Sequence, residues 1–154
     1  MKSGKRYYHI TKIFKRRELP LQPEVSELLK YRLNRAKETL KVVKTLLDSG
    51  NYKDSNNRSY YAAFYAMKSI YAIKGKDYKK HKTLLANFNR EFVATEIFPR
   101  SLGRKISMLA IIREQSDYND FYVASRQESL QQYETAKELI EVIERYLRSN
   151  NYLD

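Results

Sequence analysis

Apolar residues recur in alternating steps of four and three along most of the chain, and this spacing restricts the fold more than any other feature. The clearest series is Leu29, Leu33, Ala36, Leu40, Val43 and Leu47. Such steps return to one side of an α-helix and give it a single apolar stripe. Only residues 7–14 allow a strand instead, or an arm docked on a partner. The spacing therefore predicts an all-α fold, an antiparallel helical bundle.

Turn-forming residues divide this pattern into about five helices. The first ends at residues 48–50, because Gly50 can adopt the left-handed conformation of a helix C-terminus. The second should begin at Asp54 or Ser55, both good N-caps, and stop at Gly75. The remaining predicted helices span about 82–94, 100–114 and 126–148. We therefore divide the chain into an N-terminal arm, residues 1–22, and a helical bundle, residues 23–154.

Basic residues outnumber acidic ones, and the formal net charge is +12. Half of this excess lies in the arm, which carries a net charge of +6 with Glu18 as its one acid. The basic residues of the arm are Lys2, Lys5, Arg6, Lys12, Lys15, Arg16 and Arg17. This charge favours RNA or a nucleotide as partner, because neutralising phosphates releases counterions. Solubility, or binding of an acidic protein by the arm and bundle, are the alternative explanations.

Several classes of chemistry are absent from the sequence. The chain has no cysteine, which excludes disulfides and thiolate metal sites. No glycine-rich phosphate loop occurs, and His9 and His81 lie too far apart for a metal pair on one helix. No apolar run approaches the roughly 18–20 residues that span a bilayer. We expect no metal, no cofactor and no membrane association, and a cytoplasmic protein.

The predicted second helix carries the most informative segment. Arg58, Tyr61 and Tyr65 are spaced i, i+3 and i+7, so they share one side, and Asn57 precedes Tyr61 by one turn. An arginine among tyrosines offers a bidentate fork for phosphate and rings on which bases can stack. The apolar side of this helix is assigned to the core: Tyr60, Phe64 and Tyr71.

The segment Asn57-Arg58-Ser59-Tyr60-Tyr61-Ala62-Ala63-Phe64-Tyr65-Ala66 resembles the core helix of HEPN (higher eukaryote and prokaryote nucleotide-binding) domains. It is most similar to small prokaryotic HEPN proteins encoded beside minimal nucleotidyltransferases. Other motifs agree in order: Leu46-Leu47-Asp48-Ser49-Gly50, Lys80-His81, Asn87-Phe88-Asn89-Arg90-Glu91-Phe92 and Arg113-Glu114-Gln115-Ser116-Asp117-Tyr118. The resemblance spans about residues 27–148. It implies a homodimer in which the motif helices face each other.

The resemblance also implies an activity. Active members share an Arg-x(4–6)-His motif between protomers and cleave RNA without a metal, the arginine on the phosphate and the histidine assisting the ribose 2′-hydroxyl. Several are toxins silenced by a nucleotidyltransferase that modifies a tyrosine near the motif. Here Arg58 matches the arginine, but Tyr65 occupies the place expected for the histidine. A phenol, with an ordinary pKa of about 10, is a poor general base at neutral pH.

We therefore predict a catalytic set of Arg58, Tyr65 and His81. The predicted nucleotide- or RNA-binding set is Asn57, Tyr61, Arg113, Asp117 and Tyr118. A capping or surface role for His81 is the alternative. Arg113 and Asp117, spaced i and i+4, either pair in a polar network at the bundle end or place Asp117 on Arg58.

Two functions remain open at this point. One is a toxin-like HEPN ribonuclease, active or degenerate, with a dimeric site around Arg58. The other is a non-catalytic module that binds nucleotide or RNA, or docks a nucleotidyltransferase antitoxin.

Overall fold

A computed structural model describes residues 21–154, and this part of the chain is 77% helical. Its helices are α1 (Pro23–Asp48), α2 (Tyr52–Ala72), α3 (His81–Phe88), α4 (Arg100–Tyr118) and α5 (Arg126–Ser149). The all-α prediction is confirmed, and no strand occurs within residues 21–154. The predicted strand or docked arm at residues 7–14 lies outside the described residues, as do the charges of the arm.

Helix α2 is the centre of the bundle, and it packs against α1, α4 and α5. The outer helices bury one stripe each, and in α1 this stripe contains the predicted Leu29, Leu33, Ala36, Val43 and Leu47. Helix α2 is instead buried on several sides, including Tyr60, Phe64 and Tyr71, so their assignment to the core is confirmed. Polar side chains on α2 therefore face neighbouring helices, and Asn56 donates a hydrogen bond to Ser116 of α4. No helix in the described range is both long and apolar enough to span a membrane.

Two predicted helix ends are wrong, and both errors have a local cause. Helix α2 begins at Tyr52, before the predicted caps, because the chain reverses directly at Gly50 and the amide of Ser55 already bonds to the Asn51 carbonyl at 2.9 Å. Helix α4 continues to Tyr118 instead of stopping near residue 114. Its polar end is helical because Ser116 is buried, accepting a hydrogen bond of 3.1 Å from Asn56 Nδ2 of α2.

The predicted helix 82–94 is not uniform. It is α3 followed by a π-helical turn at Asn89–Val93, in which the Ala94 amide bonds to the Asn89 carbonyl at 2.7 Å. This turn packs closely on α4 at Gly103, where a Cβ atom would lie 2.7 Å from Val93 Cγ1. The glycine thus permits a helix approach that no larger residue allows without displacement.

Candidate functional site

Tyr61 on α2 is the residue around which most of the predicted site assembles. Its hydroxyl accepts a hydrogen bond of 3.2 Å from Arg113 Nη2 on α4. The guanidinium carbon of Arg58 lies 4.7 Å from the centre of the Tyr61 ring. The His81 ring, at the start of α3, lies 5.6 Å from the same ring, centre to centre. Three helices thus bring two guanidinium groups and an imidazole to one tyrosine.

A carboxylate and an amide connect the two arginines. Asp117 Oδ2 lies 3.0 Å from Arg113 Nε, and it also accepts a hydrogen bond of 2.8 Å from Asn57 Nδ2. Asn57 Oδ1 in turn accepts a 3.0 Å hydrogen bond from Arg58 Nε. The direct Arg113–Asp117 pair is therefore formed, and Asp117 reaches Arg58 only through Asn57. Within the described residues, Arg58 has no carboxylate partner of its own.

His81 is half-buried among aromatic rings. Its ring centre lies 4.3 Å from that of Phe64 and 5.3 Å from that of Tyr60. Burial lowers the pKa of His81, and the positive charges of Arg113 and Lys68 lower it further. The imidazole is thereby kept in its neutral form near pH 7, in which one ring nitrogen can accept a proton. His81 is not the N-cap of α3, which is Lys80, and its side chain is only partly exposed.

Tyr118, the last residue of α4, lies at the exposed edge of this group. The guanidinium carbon of Arg113 is 5.6 Å from its ring centre and at similar distances from the rings of Tyr60 and Tyr61. Stacked aromatic rings hold a guanidinium in a fixed orientation. The outer face of Tyr118 remains open to solvent, where a base can stack on it.

We call this group the Tyr61 cluster: Asn57, Arg58, Tyr61, His81, Arg113, Asp117 and Tyr118. Within residues 21–154, no set of three His, Asp or Glu side chains is arranged to bind a metal.

Tyr65 does not belong to the cluster. Its ring faces α1, where the Arg35 guanidinium carbon lies 5.5 Å from the ring centre. Seven residues advance an α-helix by about 10.5 Å, so Tyr65 lies two turns away from Arg58. In the described part of the chain, no hydrogen bond or ring contact joins Tyr65 to Arg58, His81 or Arg113. The structure therefore separates Tyr65 from the other two predicted catalytic residues.

Two contributors were missed from the sequence. Lys68 places its Nζ 5.5 Å from the centre of the Phe64 ring, close enough to influence His81. Its spacing of four from Phe64 on the same helix was the available signal. Asn56, buried under the cluster, ties α2 to Ser116 of α4 and so fixes the helix that carries Arg113 and Asp117.

Comparison with known proteins identifies the family to which the chain belongs. The family model for the HEPN domain matches residues 29–146. The chain therefore belongs to the HEPN domain family, and the predicted resemblance is confirmed.

Its relatives include a UPF0332 protein of Thermotoga maritima, 35% identical over 97 residues that cover 63% of this chain and 74% of the relative. Two Methanocaldococcus jannaschii proteins, each named "Putative toxin", also match. One is 26% identical over 136 residues, covering 88% of this chain and 90% of the relative. The other is 29% identical over 98 residues, covering 64% and 73%.

Proposed function

We propose that this HEPN protein is a toxin-like, metal-independent endoribonuclease whose active site is the Tyr61 cluster. One observation carries the proposal: His81, from a different helix, brings a neutral imidazole to the tyrosine that also contacts Arg58 and Arg113. This chain has Tyr65 in the place of the motif histidine, and in this proposal His81 supplies the acid–base group instead. The names of the two Methanocaldococcus jannaschii relatives agree with a toxin-like role.

The arginines have different tasks in this proposal. Arg58 uses Nε for Asn57, which leaves its two terminal nitrogens for bidentate contact with a phosphate. Arg113 is partly neutralised by Asp117 and mainly orients Tyr61. Because the Tyr61 oxygen accepts a hydrogen bond from Arg113, its own O–H is available to donate to a phosphate oxygen.

His81 moves the proton. Its neutral imidazole takes the proton of the ribose 2′-hydroxyl as that oxygen attacks the adjacent phosphorus. The bond from phosphorus to the 5′-oxygen breaks, which leaves a 2′,3′-cyclic phosphate on one product. The departing 5′-oxygen takes a proton from water and becomes a hydroxyl, and the protonated His81 then returns its proton to solvent. Arg58 stabilises the charge that develops on the phosphoryl oxygens during this step.

The protein acts as a homodimer in this proposal. Helix α4 exposes Met108, Ile111 and Tyr118 along one side, with the polar Gln115 between the last two. We call this side of α4 the exposed stripe. The stripe ends within the Tyr61 cluster, because Tyr118 belongs to both. A second copy seated on the stripe would therefore border the site, and RNA would contact both protomers.

A second candidate function follows from the position of Tyr65. Tyr65 stands where the motif histidine is expected, and it faces α1 instead of the cluster. If His81 does not act as a base, the protein would be a non-catalytic module that holds RNA through Arg58, Arg113 and Tyr118. The nucleotidyltransferase partner stays a prediction under either function.

Expression in a bacterial host tests the ribonuclease. Wild-type protein should slow growth and fragment cellular RNA, and Arg58→Ala should abolish both effects, because loss of one such donor typically costs about 100-fold or more in rate. Arg145→Ala, which removes an exposed arginine of α5, is the matched control and should remain as toxic as wild type. If wild-type protein and Arg58→Ala both leave growth and RNA intact, the activity is contradicted.

A further inference from the structure

The loop 73–80 joins α2 to α3 and ends immediately before His81. Most of its residues are exposed, and it contains four lysines and a single acid, Asp77. The amides of residues 74–76 bond back to the carbonyls of Tyr71 and Ala72 at the end of α2. The half of the loop next to His81, residues 77–80, is therefore the part that other contacts must hold. The position of His81 depends on what fixes this loop.

Arg32 of α1 holds the loop through contacts with Lys76 and Asp77. It is a charged side chain with only 8% of its surface exposed. Its Nη1 donates hydrogen bonds to the backbone carbonyls of Lys68, at 3.0 Å, and Lys76, at 3.5 Å. Its Nη2 lies 3.3 Å from Asp77 Oδ1. A buried guanidinium requires such partners, because an uncompensated charge in the interior is strongly destabilising.

The same carboxylate oxygen holds Lys68. Lys68 Nζ lies 2.9 Å from Asp77 Oδ1, so one carboxylate joins α1, α2 and the loop. The next residue, Tyr78, packs edge-on against Tyr71 at 4.9 Å between ring centres. Two successive loop residues are therefore anchored, three residues before His81.

The anchored lysine also touches the surroundings of His81. Lys68 Nζ lies over the Phe64 ring, and that ring is the nearest aromatic neighbour of His81. The groups that face His81 are then Lys68, Tyr60 and Tyr61 from α2 and Arg113 from α4. Among the groups that face His81, Lys68 is the one in contact with the loop, and the carboxylate of Asp77 partly neutralises its positive charge.

We propose that Asp77 is a positioning residue for His81: its ion pairs with Arg32 and Lys68 hold the loop 73–80 so that the His81 ring stays packed on Tyr60, Tyr61 and Phe64. The inference rests on the proposed function only in that His81 is there the proton acceptor. Lys68 holds the pKa of Asp77 below its usual value, so the carboxylate remains charged throughout the neutral range.

Asp77→Asn tests this inference in the full chain without RNA. The side chain of Asp77 is 49% exposed, and Arg32 keeps its hydrogen bonds to the Lys68 and Lys76 carbonyls in the variant, so the variant should fold. Loss of both ion pairs should move the ring-proton NMR signals of His81 toward those of an unstructured histidine. Amide hydrogen exchange in residues 76–82 should rise by about tenfold or more, because local opening becomes easier. The His81 signals are assigned by comparison with His81→Asn, since the chain has only two histidines.

Two controls make the result specific. Asp77→Glu keeps the charge and should retain most of the wild-type signals. Glu138→Gln breaks an ion pair of 3.0 Å with Lys105, between α4 and α5, and should leave the His81 signals and the loop exchange unchanged. Unchanged signals and exchange in Asp77→Asn would overturn the inference, as would equal changes in Glu138→Gln. Because no cleavage is measured, an inactive protein would not affect this outcome.

Discussion

His81 is surrounded by aromatic rings on one side and by two cations, and both surroundings favour its neutral form. Its presence as an acid–base candidate was evident from the sequence, because it is the only histidine in the body of the chain. Its partners were not, because they lie on two other helices. Arg58, Asn57 and Tyr61 were predictable together, since they share α2. Tyr65 was grouped with Arg58 and Tyr61 because helical spacing gives a side of the helix, but spacing does not show that its ring meets Arg35 of α1.

The lowered pKa of His81 predicts a pH dependence of folding. The folded pKa lies below the ordinary value of 6.5, so the unfolded chain binds more protons as the pH falls. The contribution of the neutral imidazole is therefore present above about pH 6.5 and is lost as the pH falls through the folded pKa. His81→Asn should remove this dependence.

Urea unfolding of wild type and His81→Asn between pH 5 and pH 8 measures the effect. The free energy of unfolding of wild type should decrease toward pH 5 more steeply than that of the variant. His9 and the carboxyl groups are common to both proteins, so they cancel in the difference. Parallel curves would contradict the environment described for His81.

Helices were easier to predict than their ends. The stripes of α1 and α5 follow local periodicity, and both helices lie close to the predicted ranges. The end of α4 was missed because Ser116, Asp117 and Tyr118 read locally as a turn. They remain helical through contacts with Asn56 and Asn57 on α2, sixty residues away. The π-helical turn packs on Gly103 of the following helix, a close contact that periodicity alone does not show.

The proposed homodimer would use the exposed stripe on α4. Ile111→Lys should weaken the dimer by about tenfold or more, because a charge would be buried in an apolar contact. Light scattering after size-exclusion chromatography over a concentration series measures this. Val42→Lys on α1 is the matched control, since Val42 is 48% exposed and Ile111 53%. A dimer that survives Ile111→Lys but dissociates in Val42→Lys would place the interface on α1 instead.

At the scale of the whole molecule, the sequence predicted the fold class and the family, and both are confirmed. Repeated apolar spacing indicates the fold class, and several short motifs in a fixed order along the chain indicate the family, because both are properties of the linear sequence. The assembled cluster could not be predicted, because its geometry depends on how α3 and α4 pack beside α2. The central position of α2 explains why polar residues on its surface carry so many contacts between helices.

The central claim is that His81, and not Tyr65, is the acid–base group of an RNA-cleaving site. Cleavage of an unstructured RNA under single-turnover conditions by wild type, His81→Asn and Tyr65→Phe tests it most directly. His81→Asn should be slower than wild type by about 100-fold or more, the usual contribution of a general base. Tyr65→Phe keeps the ring beside Arg35 and should remain within about threefold of wild type. Wild-type activity in His81→Asn, or its loss in Tyr65→Phe alone, would contradict the account.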